Sequence, residues 1–279
     1  MKRVLTALLL IPIVVLLLFF GPPWLVTIAC AVVACIALWE YLVIADATGA
    51  STPRWLTLGL AVALFAINFD SPLMMLPAFT GAGFILGVVC TFRSPVDRVL
   101  RDASFAFFGL LLIVYPLSLI PRIRALDAGA SQLLLLLLIV WTGDIAALYV
   151  GRSFGRKKLA PKISPGKTWE GATASLLGSI ISISIIVALF PSFFSRTFVV
   201  ASRPHGALFG LLLVVAINIA AQLGDLLESA IKRGAGVKDS GTLLPGHGGV
   251  LDRIDAMLLA LPVLWYALVI QQLFAPLSF

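Results

Sequence analysis

The residues best equipped for chemistry lie between Gln222 and Asp255, QLGDLLESAIKRGAGVKDSGTLLPGHGGVLDRID. This stretch holds Asp225, Glu228, Asp239, Asp252 and Asp255, five of the thirteen acids in the chain, interleaved with Lys232, Arg233, Lys238, His247 and Arg253. On a helix Asp225, Glu228 and Ser229 share one face, and so do Asp252 and Asp255 in the helix that follows Gly248 and Gly249. Two such acid pairs on neighbouring helices, with no His/Cys cluster beside them, make a set of hard oxygen donors. That set suits Mg²⁺, which takes a few carboxylates and completes its shell with substrate phosphates. Lys232, Arg233 and Lys238 then face the phosphates. Carboxylates, Mg²⁺ and flanking cations are the recurring equipment of phosphoryl and nucleotidyl transfer. Plainer readings stand beside this one. Lys232 falls four residues after Glu228, the spacing of an intrahelical ion pair. The helix dipole favours an acid such as Asp252 in a first turn, and His247 suits loop hydrogen bonding as well as catalysis.

A second charged segment runs from Thr142 to Gly171, TGDIAALYVGRSFGRKKLAPKISPGKTWEG. Asp144 falls within or at the end of an apolar run, where an ionised carboxylate costs at least ~2.5 kcal/mol. It should therefore face a polar cavity or a cation. Read as a loop, the segment offers Gly151, Gly155 and Gly166 for close backbone approach to a ligand. Arg152, Arg156, Lys157, Lys158, Lys162 and Lys167 supply charge for phosphates. Arg156, Lys157 and Lys158 serve anchoring on anionic lipid equally well. Ser164, Lys167, Thr168 and Glu170, at the start of a membrane helix, are more than an anchor needs and are expected to bind substrate. The phosphate-loop frame G-x-x-x-x-G-K-[ST] is absent, because Pro161 stands where its first glycine belongs. Glu40, in LWEY, is an intramembrane acid and so a functional candidate or a hydrogen-bonded helix contact.

These groups must be positioned by membrane helices. Hydrophobic residues make up 61% of the 279, with a mean hydropathy of +1.09, whereas soluble chains average about 45–50% apolar. A span takes about 20 apolar residues, and the candidates are 4–20, 24–44, 55–69, 73–91, 103–120, 131–150, 171–190, 206–231 and 250–274. The fold expected is therefore all-α, a polytopic integral membrane protein of about nine transmembrane helices. It forms a single domain over 1–279, with N-terminal helices in 1–130 and a catalytic half in 131–279. The first span is expected to be uncleaved, since Gly21-Pro22-Pro23 offers no small-residue cleavage site. Pro53, Pro72, Pro121 and Pro191 punctuate loops, and the Leu133–Leu138 run faces lipid or fills packing. Placing the N-terminus in the cytoplasm puts sixteen of the twenty Lys and Arg in inside loops, as the positive-inside rule requires. The outside loops then hold only Arg122, Arg124, Arg196 and Arg203, and the C-terminus lies outside. Both charge-rich segments face the cytoplasm, where nucleotides are. The net charge of +7 fits membrane anchoring, and no nucleic-acid partner is expected. Cys30, Cys35 and Cys90 sit in apolar runs without metal-type spacing, and no internal repeat of the transporter kind stands out.

At its charged stretches the chain resembles the phosphatidate cytidylyltransferases, or CDP-diacylglycerol synthases. The family signature S-x-x-K-R-x4-K-D followed by H-G-G-x-x-D-R-x-D is matched by Ser229, Lys232, Arg233, Lys238, Asp239, His247, Gly248, Gly249, Asp252, Arg253 and Asp255 at the same spacings. The upstream run from Gly151 to Gly171 is similar to the family's G-R-x-F-G-x-x-K-L-x-P-x-I-S-P-x-K-T-W-E-G. The N-terminal half adds only hydropathy and Trp39-Glu40. The resemblance implies that CTP and phosphatidate give CDP-diacylglycerol and pyrophosphate, with Mg²⁺ required and a second cation left open. It also implies a cytoplasmic-side cavity open to the bilayer of a bacterial-type inner membrane, and a homodimer.

The chemistry agrees with that implication. A phosphomonoester has a second pKa of about 6, so the lipid phosphate can attack the α-phosphorus of CTP without a general base. The burden is to unite two polyanions and stabilise departing pyrophosphate. Asp225, Asp252 and Asp255 are accordingly assigned to cations, and Lys167, Lys232, Arg233 and Lys238 to phosphates. Asp144, Ser164, Thr168, Glu170, Ser229, Asp239, His247, Gly248, Gly249 and Arg253 complete the expected substrate surface. Two rivals remain. A CTP-dependent polyprenol kinase would move the γ-phosphate, and a cation-coupled transporter would use Asp144, Asp225 and Glu228 as an ion path. Transport, however, needs no phosphate cradle.

Overall fold

The computed structural model describes residues 2–67, 74–194, 206–241 and 248–273; His247, Arg196, Arg203 and Pro72 lie outside them. In a bilayer every backbone polar group must find its partner within the segment, so apolar runs become helices. The helices are α1 (Lys2–Phe20), α2 (Pro23–Ala47), α3 (Arg54–Ala66), α4 (Met75–Arg93), α5 (Val99–Gly109), α6 (Tyr115–Ala125), α7 (Gly129–Phe154), α8 (Trp169–Leu189), α9 (Pro191–Phe194), α10 (Gly206–Gly234) and α11 (Leu251–Leu273). A π-type stretch, Leu110–Val114, makes α5 and α6 continuous. Among the described residues seven helices are long and apolar enough to cross a membrane, Val99–Ala125 counting as one. The first and third expected spans fall on shorter apolar helices, Ile11–Phe20 and Arg54–Ala66. The chain is a helical, polytopic membrane protein.

Proline mostly behaves as punctuation: Pro22 precedes α2, Pro53 precedes α3 and Pro191 begins α9. Pro121 does not, since it lies inside α6. Neighbouring helices let membrane helices tolerate such a break. The charged segment 142–171 is likewise not one loop. Helix α7 runs on to Phe154, and a short antiparallel hairpin follows, β1 (Lys158–Ala160) and β2 (Ser164–Thr168), leading directly into α8.

The chain divides into two compact units, Met1–Pro121 with Ile231–Ile254, and Arg122–Ala230 with Asp255–Phe279. The boundary passes inside α10 and α11, so each of these helices serves both. In the first unit α2 packs on α3, α5 and the π-type stretch, and α4 packs on α5. Leu38, Tyr41, Leu42, Leu86, Leu110 and Ile113 form its fully buried centre. Its connections are tied by acids. Asp102, wholly buried, accepts from Ser51 N at 2.9 Å and from Ser94 Oγ at 2.6 Å, and Asp46 pairs with Arg54 at 2.7 Å.

The second unit is built on α7 against α8. Leu133, Leu135, Leu136 and Leu137 are buried there, which settles the leucine run as packing. A polar chain threads its interior. Gln222 Nε2 donates to Asn218 Oδ1 at 2.7 Å, Asn218 Nδ2 to Ser179 Oγ at 2.9 Å, and Ser179 Oγ to the carbonyl of Ile139 at 2.7 Å. Three helices are joined by one directed series of hydrogen bonds. Alanine at 218 strands a donor on Gln222 and empties Ser179's acceptor side. It is expected to cost about 1–3 kcal/mol, read as a lowered midpoint in detergent unfolding.

Candidate active site

Two clusters of charge are formed, one in each unit. In the first, α10 closes with a Schellman motif. Val237 N donates to the Lys232 carbonyl at 3.0 Å and Gly236 N to the Arg233 carbonyl at 3.1 Å. Gly236 sits at φ 73°, a left-handed conformation that glycine adopts without penalty. This cap fixes Lys232 in the last turn, where its ammonium meets Asp252 Oδ1 at 2.5 Å, the two side chains being 12% and 11% exposed. The other oxygen of Asp252 collects three donors: Ser240 N at 3.1 Å, Ser240 Oγ at 3.0 Å and Gly249 N at 2.8 Å. Gly248 combines φ 76° with a position where any Cβ would collide with the Asp252 carboxylate. Arg233 donates to the Val237 carbonyl at 3.3 Å, and it is exposed, as are Lys238, Asp239 and Arg253.

The helix-dipole reading of Asp252 therefore holds together with the ionic one. Its side chain takes the Gly249 N–H, while Glu40 takes the next two, from Val250 at 3.0 Å and Leu251 at 2.9 Å. Two carboxylates satisfy three successive N–H groups at the start of α11, where such groups lack intrahelical partners.

In the second unit the hairpin pairs Lys158 with Thr168 and Ala160 with Ser164. Thr168 caps α8, its hydroxyl accepting from Gly171 N at 3.1 Å. The Glu170 carboxylate reaches back to Lys157 N, 3.2 Å from each oxygen, and Trp169 N donates to the Lys157 carbonyl at 2.9 Å. Thr168 and Glu170 thus set the hairpin on the helix, whatever else they contact. That leaves Lys167 aimed by a rigid base, and its ammonium meets Asp225 Oδ2 at 2.7 Å. Asp144 lies inside α7, ten residues before its end, and the charges of Asp225 and Lys167 both act on it. Ser229 Oγ donates to Asp225 Oδ1 at 3.4 Å. Glu228 is buried, and Asp255 Oδ1 accepts from Ala256 N at 2.7 Å. Gly151 and Gly155 serve packing rather than ligand approach, since a Cβ on either would press on Thr168, whereas Gly166 faces open space.

The donor chemistry fits Mg²⁺. Asp225, on the Lys167 ammonium, and Asp144, which senses both of their charges, offer oxygen ligands only, the kind a hard cation prefers; among the described residues no three such side chains are gathered at one point. Asp252 is more committed, with Oδ2 shared by three donors and Oδ1 on Lys232. Sequence reasoning missed Ser240, which gives Asp252 two of its donors, and the partnership of Lys167 with Asp225. The adjacency of Ser240 to Lys238 and Asp239 was the available signal for the former.

The model of the Cytidylyltransferase family matches residues 1–271. "Uncharacterized protein YnbB" of Escherichia coli is 36% identical over 88% of this chain and 80% of its own length. The phosphatidate cytidylyltransferase of Haemophilus influenzae is 33% identical over 95% of this chain and 97% of its own. That of Bacillus subtilis is 40% identical over 53% of this chain and 51% of its own.

Proposed function

This chain belongs to the cytidylyltransferase family and is a CTP-dependent nucleotidyltransferase; from that premise we propose that its acceptor is phosphatidate and its products are CDP-diacylglycerol and pyrophosphate. What carries the reading is that each unit holds a lysine ammonium against an aspartate, Lys232 on Asp252 and Lys167 on Asp225. A lysine so held is oriented and charged, ready to meet a phosphate, and Asp225, the less committed of the two aspartates, is an oxygen ligand for a cation.

An oxygen of the lipid phosphate attacks the α-phosphorus of CTP. The new P–O bond forms as the bond to the bridging oxygen breaks, and pyrophosphate leaves with that electron pair. No proton has to be removed from a dianionic phosphomonoester, so no side chain is assigned as a base. Lys167, Lys232, Arg233 and Lys238 neutralise and orient the two polyanions. Asp225 with Asp144, Asp252 and Asp255 are the carboxylates assigned to cations. Bound Mg²⁺ would supply Lewis-acid stabilisation of the charge on the departing pyrophosphate. The reading includes nine spans with a cytoplasmic N-terminus and an outside C-terminus, a cytoplasmic-side site in an inner membrane, and a homodimer.

The test is pyrophosphate release from CTP in detergent. Release should require phosphatidate, stop on chelation by EDTA and return with Mg²⁺. Label in the α-phosphate of CTP should enter lipid, and γ-label should not. Entry of γ-label, or release indifferent to phosphatidate, would overturn the assignment.

A further inference from the structure

Glu40 is the one acid of α2 that points into the first charge cluster, and it does so from some 200 residues away in sequence. It is 7% exposed, and among the described residues it accepts from Val250 N and Leu251 N and stands 3.0 Å from the Ser240 hydroxyl, whose one proton it shares with Asp252. These donors lie on both sides of the connection between α10 and α11. The glycines that flank the connection are shaped to the same carboxylate. The three atoms nearest a Cβ on Gly241 all belong to Glu40, the closest being Oε1 at 2.7 Å, and a Cβ on Gly249 would collide with both Glu40 and Ser240. The Ser240 hydroxyl stands 3.0 Å from Glu40 Oε2 and 3.0 Å from Asp252 Oδ2, so a single atom fixes the two carboxylates relative to each other.

We infer that Glu40 is a positioning residue for the transfer reaction, a clasp that joins Ser240–Gly241 to Gly249–Leu251 and thereby aims Asp252 at Lys232. Only an acceptor-only group suits the place. Glutamine would turn its NH₂ toward the N–H of Val250 or of Leu251, and aspartate is one methylene shorter. Capping of α11 is the means; the consequence is alignment of reacting groups, for which a displacement of about 1 Å costs on the order of 10²-fold. The inference rests on Lys232 and Asp252 belonging to the catalytic site.

The experiment measures kcat and KM for CTP in the pyrophosphate-release assay, with detergent melting temperature, for the wild type, Glu40→Gln, Asp252→Asn and the double variant. Glu40→Gln should lower kcat about 30-fold, with KM for CTP within about threefold and the melting temperature close to wild type. In the Asp252→Asn background it should add less than about twofold, because the residue it aims is already gone. A Glu40→Gln enzyme of normal kcat beside an inactive Asp252→Asn overturns the inference alone. So does a Glu40→Gln loss that multiplies fully with that of Asp252→Asn, as a separate structural defect would. A fully active Asp252→Asn removes the reading of the site and the inference with it. If Glu40→Gln does not accumulate in the membrane, Gly241→Ala decides, since its new methyl presses first on the Glu40 carboxylate. It should lower kcat at unchanged KM, and normal turnover would overturn the clasp.

Discussion

Asparagine in place of Asp252 is expected to reduce Mg²⁺-dependent pyrophosphate release by about 10³-fold. The change is nearly isosteric, so its effect is electrostatic. Oδ1 faces the Lys232 ammonium, and Oδ2 faces the N–H groups of Ser240 and Gly249 and the Ser240 hydroxyl. An amide can offer its oxygen to only one of these sides. Turned toward Lys232, its NH₂ confronts the start of α11; turned the other way, it confronts an ammonium. Either choice leaves buried donors without an acceptor, at about 1–3 kcal/mol each, and removes the negative charge that holds Lys232. A kcat within tenfold of wild type would exclude Asp252 from the chemistry.

Methionine in place of Lys167 is expected to lower kcat/KM for CTP by about 10²-fold without weakening the half-saturating Mg²⁺ concentration. The substitution keeps most of the apolar stem and deletes the ammonium that contacts Asp225 at 2.7 Å. Asp225 then keeps its negative charge with no ammonium on it, an arrangement that repels CTP but attracts a divalent ion. The direction of the Mg²⁺ effect is the discriminating part. Weaker Mg²⁺ dependence together with weaker CTP use would mean that the hairpin itself had been lost. Arginine at the same place should restore only part of the activity, because its planar fork is a poor substitute for a compact charge seated on Asp225.

The sequence was most informative where the bilayer dictates the answer. Spans could be read from hydropathy because a helix in lipid has no alternative partner for its backbone. The charged stretch around Asp252 was legible because its residue types and spacing constrain each other over a short distance. Long-range pairing was not legible. Nothing near Lys167 announces Asp225, and nothing near Glu40 announces Ser240 or Val250, since those meetings depend on how helices pack. Arg, Gly and Asp after Thr142 suggested a loop because they break an apolar run. Helix α7 nonetheless continues to Phe154, where Gly151 lets it lie close to Gly171 and Thr168. Two of the glycines taken as room for a ligand, Gly151 and Gly155, are room for packing on Thr168, while Gly166 faces open space. Lys232, spaced for an ion pair with Glu228, also reaches Asp252 across the connection.

The polar chain through Gln222, Asn218 and Ser179 has a geometric consequence. A lone apolar helix in lipid is free to spin about its long axis, because lipid offers no preferred azimuth. Asn218 removes that freedom from α10 by bonding to α8, and Ser179 passes the constraint on to α7. Asp225 lies seven residues beyond Asn218, about two turns on, and so points in nearly the same radial direction. The buried amide thus acts as an angular stop. It sets the heading at which α10 presents its carboxylate to Lys167, and a substitution there would detune the site without touching any substrate.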